Sequence, residues 1–397
     1  MDIALCYESV LPARGGCEHY ISDLARRLAR DGHRIHLYAC RWDPAALPAT
    51  MHYHRLPAVH GPRWLRPWRF AHMVEQALRA HGHDVTMGFD KTWGQDILYP
   101  QGGLHVASAA HNILKHPPGL GRFCARLAKN LDPASYSFRA LERRQYLGQD
   151  RPLILVNSAM VRGHFAKYYD VQEADVQVLP AAIDPARFSA DDRPKRRFEE
   201  RQRWGVAEDE PAALMVAMNY RLKGLAPMLR ALAQLPPEQR YRLVVVGGAK
   251  FSRYQKLAQR LGVANKVLFL GFRSDPRDTY FAADFLVHPT FYDPCSLVVL
   301  EALACGLPVL TTRYNGAAER ISPPAEGLVI DDPHDAQALA QAFAILLDPS
   351  TRAHCASAAR QTARNWTFDH HYQQLLGHFR QVVQYKQKGI DSLQQSA

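Results

Sequence analysis

The run FYDPCSLVVLEALACG, residues 291–306, sets a loop, a helix start, two acids and a helix stop side by side. Ser296 stands where an N-cap is needed, and Leu297, Leu300, Leu303 and Ala304 recur at helical spacing. Gly306 followed by Pro308 supplies the stop, so a short helix is predicted between Ser296 and Gly306. Asp293 falls in the loop before it and Glu301 about one and a half turns inside. Between the two acids lies a helix N-terminus, with free N–H groups and roughly half an elementary positive charge, suited to a phosphate or diphosphate. An anion cradle flanked by two acceptors for sugar hydroxyls fits a nucleotide sugar. Two acids at this spacing also fit a plain solvated surface pair.

Outward from this run, the second half of the chain alternates. AALMVAMNY (212–220), YRLVVVGG (241–248) and KVLFLGF (266–272) read as strands, with LAPMLRALAQL (225–235) and YQKLAQRLGV (254–263) as helices between them. Such alternation predicts a parallel sheet flanked by helices, whose ligands bind at the carboxyl ends of the strands. Lys223, in NYRLKG directly after the first of these strands, stands at such an end, and Arg221 precedes it by two residues. The alternative is two surface cations beside a turn. PVLTTRYNGAAERI (308–321) continues as strand and loop, and EGLVIDDPHDAQALAQAFAILL (326–347) as strand, turn and helix.

The first half opens as strand, helix, strand over residues 1–40. Gly15 and Gly16 in its first loop either let backbone approach a ligand or make a tight turn. DVTMGF (84–89) is a further strand. The polar, glycine-bearing stretch after it, DKTWGQDILYPQGGLHVA (90–107), suits a ligand-facing edge, with Asp90, Lys91 and Asp96 as candidate acceptor contacts and His105 as the histidine of most interest. Arg122, Arg126, Lys129, Arg139, Arg143 and Arg144 follow at helical spacing among aromatic residues. Such a face lies on anionic lipid, each cation adding about 1 kcal/mol, or faces solvent. Arg63, Trp64, Arg66, Trp68, Arg69 and Phe70 offer a similar choice, a membrane interface or a packed loop. LILVNSAMVRGHFAKYY (153–169) and VQVLPAAIDPARF (176–188) supply strand, helix and strand, and DDRPKRRFEERQR (191–203) reads as a solvated linker into a second domain. A last amphipathic helix carries Phe368, Tyr372, Leu375 and Phe379 on one side, and residues 390–397 are expected to be disordered.

A chain of 397 residues, 47% of them hydrophobic, is long for one core and suits two domains. Its net charge of +11 is compatible with nucleic acid, phosphorylated substrates or an anionic membrane surface. Seven cysteines stand singly, with neither a C-x-x-C pair nor zinc spacing, and read as reduced thiols of a cytoplasmic protein. The opening MDIALCYESVLP lacks the charged and apolar regions of a signal peptide, and no run approaches the roughly 20 apolar residues that span a bilayer.

VLFLGF (267–272), FAADFLVHPTFYDP (281–294) and SLVVLEALACGLPVLTT (296–312) together are similar to the signature of glycosyltransferase family 4. In that family two acids in an E-x7-E pattern, here Asp293 and Glu301, lie before and in a helix followed by G-x-P-V. The resemblance implies an α/β GT-B architecture of two doubly wound Rossmann-like domains facing a cleft. The acceptor would lie on residues 1–186, the nucleotide sugar on 187–365, and the C-terminal helix over 366–389 would cross back to the first domain. It implies that Lys223, Arg221 and the helix start near Ser296 stabilise the departing diphosphate. Glu301 would hold the ribose hydroxyls, Asp293 those of the transferred sugar, and His105 would hydrogen-bond that sugar. Gly15, Gly16, Cys295 and Leu297 would complete the donor site, and Gly316 with Glu319 matches the family's G-x-x-E. No D-x-D motif occurs, and neither a metal nor another cofactor is expected.

One departure bears on sugar selection. Where many members have E-G-F-G, this chain has Asp293-Pro294-Cys295-Ser296, a shorter acid and a proline that removes one backbone donor. Within the family, GFDKTWGQD (88–96), the basic helices after it and the loop at Asp293 resemble the lipopolysaccharide-core glucosyltransferases. That narrower resemblance implies retaining transfer from UDP-glucose to a core heptose. Its partners would be a glycolipid or saccharide acceptor and an anionic membrane surface, with no nucleic acid, and its place the inner face of the cytoplasmic membrane. A nucleotide-sugar epimerase of the same fold and a non-catalytic membrane-binding scaffold are the alternatives. A dinucleotide oxidoreductase is disfavoured, because no G-x-G-x-x-G follows the first strand of either half.

Overall fold

Ile3, Ala4, Leu5 and Cys6 are 0% exposed, the mark of a parallel strand covered on both faces. The computed structural model describes residues 1–12, 15–148, 151–189 and 192–395, with side chains as far as Lys388. They fall into two compact units: Met1–Ala110, Phe123–Pro180 and His370–Ala397 in unit 1, His111–Arg122 and Ala181–Asp369 in unit 2. The first crossing, expected after residue 186, falls at Pro180–Ala181, and the second at Asp369–His370. Residues 111–122, inside the span read as first domain, cluster with unit 2.

Unit 1 is built on a seven-stranded parallel sheet: β1 (Asp2–Cys6), β2 (Arg34–Ala39), β3 (His52–Arg55), β4 (Val85–Gly88), β5 (Ile97–Leu98), β6 (Leu153–Val156) and β7 (Val176–Val178). The order is β3-β2-β1-β4-β5-β6-β7. The chain therefore reverses its direction of growth between β1 and β4, and the loops at that switch point hold Gly15 and Gly16 on one side and Asp90 and Lys91 on the other. Helices of the first 150 residues include α1 (Gly16–Arg30), α2 (His105–Leu114), α3 (Leu120–Leu131) and α4 (Pro133–Leu147). The final helix, Phe368–Gln395, buries Tyr372, Leu375 and Phe379 completely. His371 bridges Tyr20 Oη and the Pro180 carbonyl at 2.7 Å each. The tail expected to be disordered from 390 continues this helix to Gln395, and residues 396–397 lie outside the described residues.

Unit 2 repeats the plan with β8 (Ala212–Ala217), β9 (Arg242–Gly247), β10 (Val267–Gly271), β11 (Phe285–His288), β12 (Val309–Thr312) and β13 (Gly327–Ile330), in the order β10-β9-β8-β11-β12-β13. Alternate residues of β8 serve opposite cores. Ala212 and Leu214 pack with Leu300 and Leu303 on one face, Ala213 and Met215 with Leu229 and Phe343 on the other. The switch point lies between β8 and β11, so the loops that leave these two strands emerge side by side.

The segment read as a solvated linker is corrected by the structure: Arg193–Trp204 is a helix of unit 2, while Asp191 lies outside the described residues. Arg197 and Arg201, one turn apart, point inward together. Arg201 is 1% exposed and donates to the carbonyl of Ala282 at 2.9 Å and to Asp284 at 3.3 Å. Arg197 meets Asp284 at 3.0 Å, and Trp204 Nε1 donates to buried Glu200 at 2.9 Å. The charges are paired with an acid and with buried carbonyls, which composition alone does not reveal. The aromatic stretch near residue 66 also packs: Phe70 is buried and Trp68 donates to Ser137 Oγ at 2.9 Å. Among the described residues no helix is long and apolar enough to cross a membrane.

Arg201→Ala removes the buried donor to the Ala207 and Glu210 carbonyls, while Arg197 and the Ala212 amide stay on Asp284. The change is expected to lower the unfolding free energy by about 1–3 kcal/mol in urea titration, whereas Arg240→Ala, which removes the exposed pair with Asp209, should leave the midpoint in place.

Candidate active site

At the switch point of unit 2 the two loops are tied to each other. Phe291 N donates to the Leu222 carbonyl at 2.9 Å, and Thr290 Oγ1 reaches the same carbonyl at 3.2 Å. Gly224 adopts φ +80°, and a Cβ there would lie 2.0 Å from the Pro289 carbonyl oxygen, so only glycine allows this approach. The contact sets Lys223 against the other loop: its Nζ lies 2.5 Å from Asp293 Oδ2 and 3.2 Å from the Tyr292 carbonyl.

Asp293 is also fixed through its backbone. Its N–H donates to Tyr314 O at 2.9 Å and its carbonyl accepts from Gly316 at 2.8 Å. The helix predicted between Ser296 and Gly306 is α5, Leu297–Ala304, closed by Gly306 at φ +69°. Ser296 occupies the N-cap position, yet its hydroxyl makes no capping bond and lies 3.3 Å from His288 Nε2 instead. Asn315 Oδ1 accepts from Ser296 N at 3.2 Å and Ala317 N at 3.1 Å. The first amides of α5, at Leu297 and Val298, have no acceptor within the helix itself and are available to an anion.

Burial and charge oppose each other at the acid. Burial works to raise the Asp293 carboxyl, but Lys223 and His288 outweigh it and hold it well below the usual range. Burial also lowers His288, with Asp293 opposing it. The Cys295 thiol is pushed up to about 12 by burial, which makes it a packing residue rather than a nucleophile. Leu297 is half-buried against the core. Glu301 sits in the fifth position of α5, and Tyr280 Oη donates to its Oε2 at 2.5 Å. Arg221 points away from Lys223: its guanidinium lies 3.0 Å from the His116 ring nitrogens.

Comparison with known proteins identifies the scaffold that carries this site. Residues 14–187 match the family described as glycosyltransferase family 4, and residues 196–362 that described as glycosyl transferases group 1. Over 342 residues the chain is 28% identical to the lipopolysaccharide glucosyltransferase WaaG of Escherichia coli K12, covering 85% of this chain and 87% of that one. Over 377 residues it is 32% identical to D-inositol 3-phosphate glycosyltransferase 2 of Catenulispora acidiphila, covering 85% and 83%. This chain belongs to the GT-B glycosyltransferases. A crystal structure of WaaG superimposes with a TM-score of 0.75 at 26% identity, over 91% of this chain and 95% of that one. Anabaena HepE in complex with UDP-glucose shares the fold, with a TM-score of 0.71 at 21% identity over 96% and 99% of the chains.

In unit 1 of this glycosyltransferase the anticipated residues fare unequally. Gly15 is the extended N-cap of α1, and Gly16 its first residue. Asp90 and Lys91 pair with each other at 3.1 Å and stay partly exposed. Asp96, expected to contact the acceptor, is engaged by the fold through Oδ2, which accepts from Thr86 N at 2.7 Å, Thr86 Oγ1 at 2.8 Å and Lys386 Nζ at 2.8 Å. His105 starts α2, packed 4.2 Å from the Phe138 ring, with a buried Nε2 that has no hydrogen-bond partner among the described residues. Burial, then Lys129 and Lys91, lower it to about 4, so its imidazole is neutral at pH 7.

Sequence reasoning missed four residues. Glu142, raised to about 7 by burial, accepts from the His105 and Val106 amides and from Tyr169 Oη, and so closes the α2 N-terminus to a ligand. His288, Asn315 and Tyr280 support Asp293, Ser296 and Glu301. His288 alone left a signal, an imidazole at the end of an otherwise apolar strand.

A depressed carboxyl contributes stability that is complete above its unfolded value, near 3.8, and is lost as pH falls through the folded value. Lys223→Met removes the cation that depresses Asp293. Acid unfolding followed by circular dichroism is then expected to begin at higher pH, whereas in an Asp293→Asn background the same Lys223→Met change should produce no such shift.

Proposed function

We propose that this glycosyltransferase moves glucose from UDP-glucose to a heptose of the lipopolysaccharide core, with retention of configuration and without a metal ion. The observation that carries the reading is the Lys223–Asp293 pair beside the open end of α5, at the carboxyl ends of two adjacent strands. In the reaction the bond from the glucosyl anomeric carbon to the diphosphate breaks, one to the acceptor oxygen forms, and the acceptor hydroxyl gives its proton to the departing diphosphate. Negative charge grows on the departing diphosphate. Lys223 and the first amides of α5 oppose that charge, in the role a divalent ion would otherwise fill. Asp293, freed from Lys223 as the diphosphate takes the cation, accepts from hydroxyls of the glucosyl ring. Glu301, oriented by Tyr280, accepts from the ribose hydroxyls. The donor and acceptor classes rest on the names of the relatives, a lipopolysaccharide glucosyltransferase and a protein solved with UDP-glucose.

The acceptor reading extends to a place at the inner face of the cytoplasmic membrane. On α3, Leu120, Phe123, Leu127 and Leu131 are 77%, 63%, 50% and 71% exposed, at spacings that put them along one side, with Arg122, Arg126 and Lys129 on the same helix. An unburied apolar stripe bordered by cations suits an anionic lipid surface better than water.

UDP-glucose is expected to raise the melting temperature of the wild type and not of Lys223→Ala. With a heptose-containing core acceptor, Lys223→Ala and Glu301→Ala should each lower kcat/KM at least about 100-fold, roughly 2.7 kcal/mol of transition-state binding. Activity should persist in a chelator. No melting shift with any UDP, GDP or ADP sugar would overturn the donor assignment, conversion of UDP-glucose without acceptor would indicate an epimerase, and more than tenfold stimulation by manganese would refute metal independence. In co-sedimentation with phosphatidylglycerol vesicles, Phe123→Asp/Leu127→Asp should bind at least about fivefold more weakly than the wild type.

A further inference from the structure

At the amino-terminal ends of the unit 1 strands, imidazoles converge from positions far apart in sequence. Register pairs His36 on β2 with His52 on β3, and Tyr38 with His54. The His36 ring centroid lies 4.8 Å from that of His52, 5.1 Å from His54 and 4.6 Å from His83, which precedes β4. Asp2 opens β1 beside them. Asp2 Oδ1 is 2.5 Å from His83 Nδ1 and 3.4 Å from His36 Nε2. One ligand atom from each of the three residues lies within 4.8 Å of the other two, and the side chains of Asp2, His36 and His83 are 13%, 13% and 2% exposed.

Ordinary hydrogen bonding accounts for only part of this cluster. His83 Nδ1–H donates to Asp2 Oδ1. His36 Nε2, however, is buried beside the same carboxylate oxygen and has no hydrogen-bond partner among the described residues. A cation between the three atoms would satisfy it. The outer atoms are already held as metal-bound histidines require. His36 Nδ1 is 2.8 Å from His54 Nε2, and His83 Nε2 is 2.8 Å from Tyr38 Oη. With the inner nitrogens ligating, the ring protons sit on His36 Nδ1 and His83 Nε2 and are donated to His54 and Tyr38. Arg34 Nε engages the other Asp2 oxygen, Oδ2, at 2.6 Å, which turns Oδ1 inward.

We propose that Asp2, His36 and His83 bind a divalent transition-metal ion of the zinc class. Two imidazoles and one carboxylate are a donor set for Zn2+, Co2+ or Ni2+, with water in the open position. Metal–ligand distances of about 2.0–2.2 Å place tetrahedral ligand atoms about 3.3 Å apart. The Asp2–His36 distance already has that value, and the Asp2–His83 pair opens by somewhat under 1 Å as the ion displaces the proton between them. The ion clasps the start of β1, β2 and the turn before β4. Its role is to hold these strand ends together, and no step of glycosyl transfer passes through it.

The test uses the full chain without a polyhistidine tag, stripped with a chelator. Titration with ZnCl2 should show one equivalent bound and a raised melting temperature, because an ion that binds only the folded state stabilises it. Co2+ in its place should give the strong visible absorption of a four-coordinate site. His36→Gln and His83→Gln should each weaken Zn2+ binding at least tenfold and lose the cobalt band, while His60→Gln and His354→Gln, at exposed positions, keep both. A wild type with no cobalt band, or zinc binding undiminished in both His36→Gln and His83→Gln, overturns the proposal. The wild-type spectrum decides it even where a variant fails to fold.

Discussion

The ion pair between Lys223 and Asp293 is the contact around which unit 2 is arranged. It joins the loops after β8 and β11, the two strands between which the sheet reverses its order. Two charged groups with little exposure are costly to hold unless each is compensated. Here the compensation is local: Tyr292 O for the ammonium, His288 for the carboxylate, and backbone bonds to Tyr314 and Gly316 that fix the loop. Such a pair keeps a cation and an acid at short range between the ends of two adjacent strands.

Close backbone approach makes that pairing possible. Gly224 brings its loop against Pro289, where any side chain would collide with the carbonyl. Asn315 then ties the entry of α5 to the next loop, so the helix end, the acid and the lysine are set by three successive strand ends. The helix N-terminus in unit 1 is treated in the opposite way. Glu142 supplies a carboxylate to the first amides of α2 and thereby uses up the anion-binding capacity that α5 leaves open. The two helix starts look alike in outline and differ in whether the protein itself provides the acceptor.

Much of this was legible in the residues. The alternation of apolar runs and amphipathic stretches marked both parallel sheets, and the fragment around Ser296–Gly306 marked α5 with its bounds, because caps, glycine stops and helical spacing act over a few residues. Lys223 after β8 and Asp293 after β11, with Ser296 at the start of α5 and Glu301 within it, stood out for the same reason, as short motifs beside strand ends. The partners of Asp96 and the burial of the run from Arg193 to Arg203 were not legible in the sequence. Their polarity resembled that of exposed groups, while Thr86 and Lys386 in one case, and Asp284 with a row of carbonyls in the other, take them inside.

The sequence by itself determined the class of fold, the order of its elements and which polar residues stand at the carboxyl ends of its strands. These depend on the period of apolar residues and on local backbone preferences, both carried by neighbouring positions. Only the tertiary structure decided which polar groups meet. Asp2, His36 and His83 share no spacing pattern, and neither do Glu142 and His105 or Asn315 and Ser296. Each group is brought together by sheet order and helix packing, and whether a buried charge is satisfied depends on partners that lie tens of residues away.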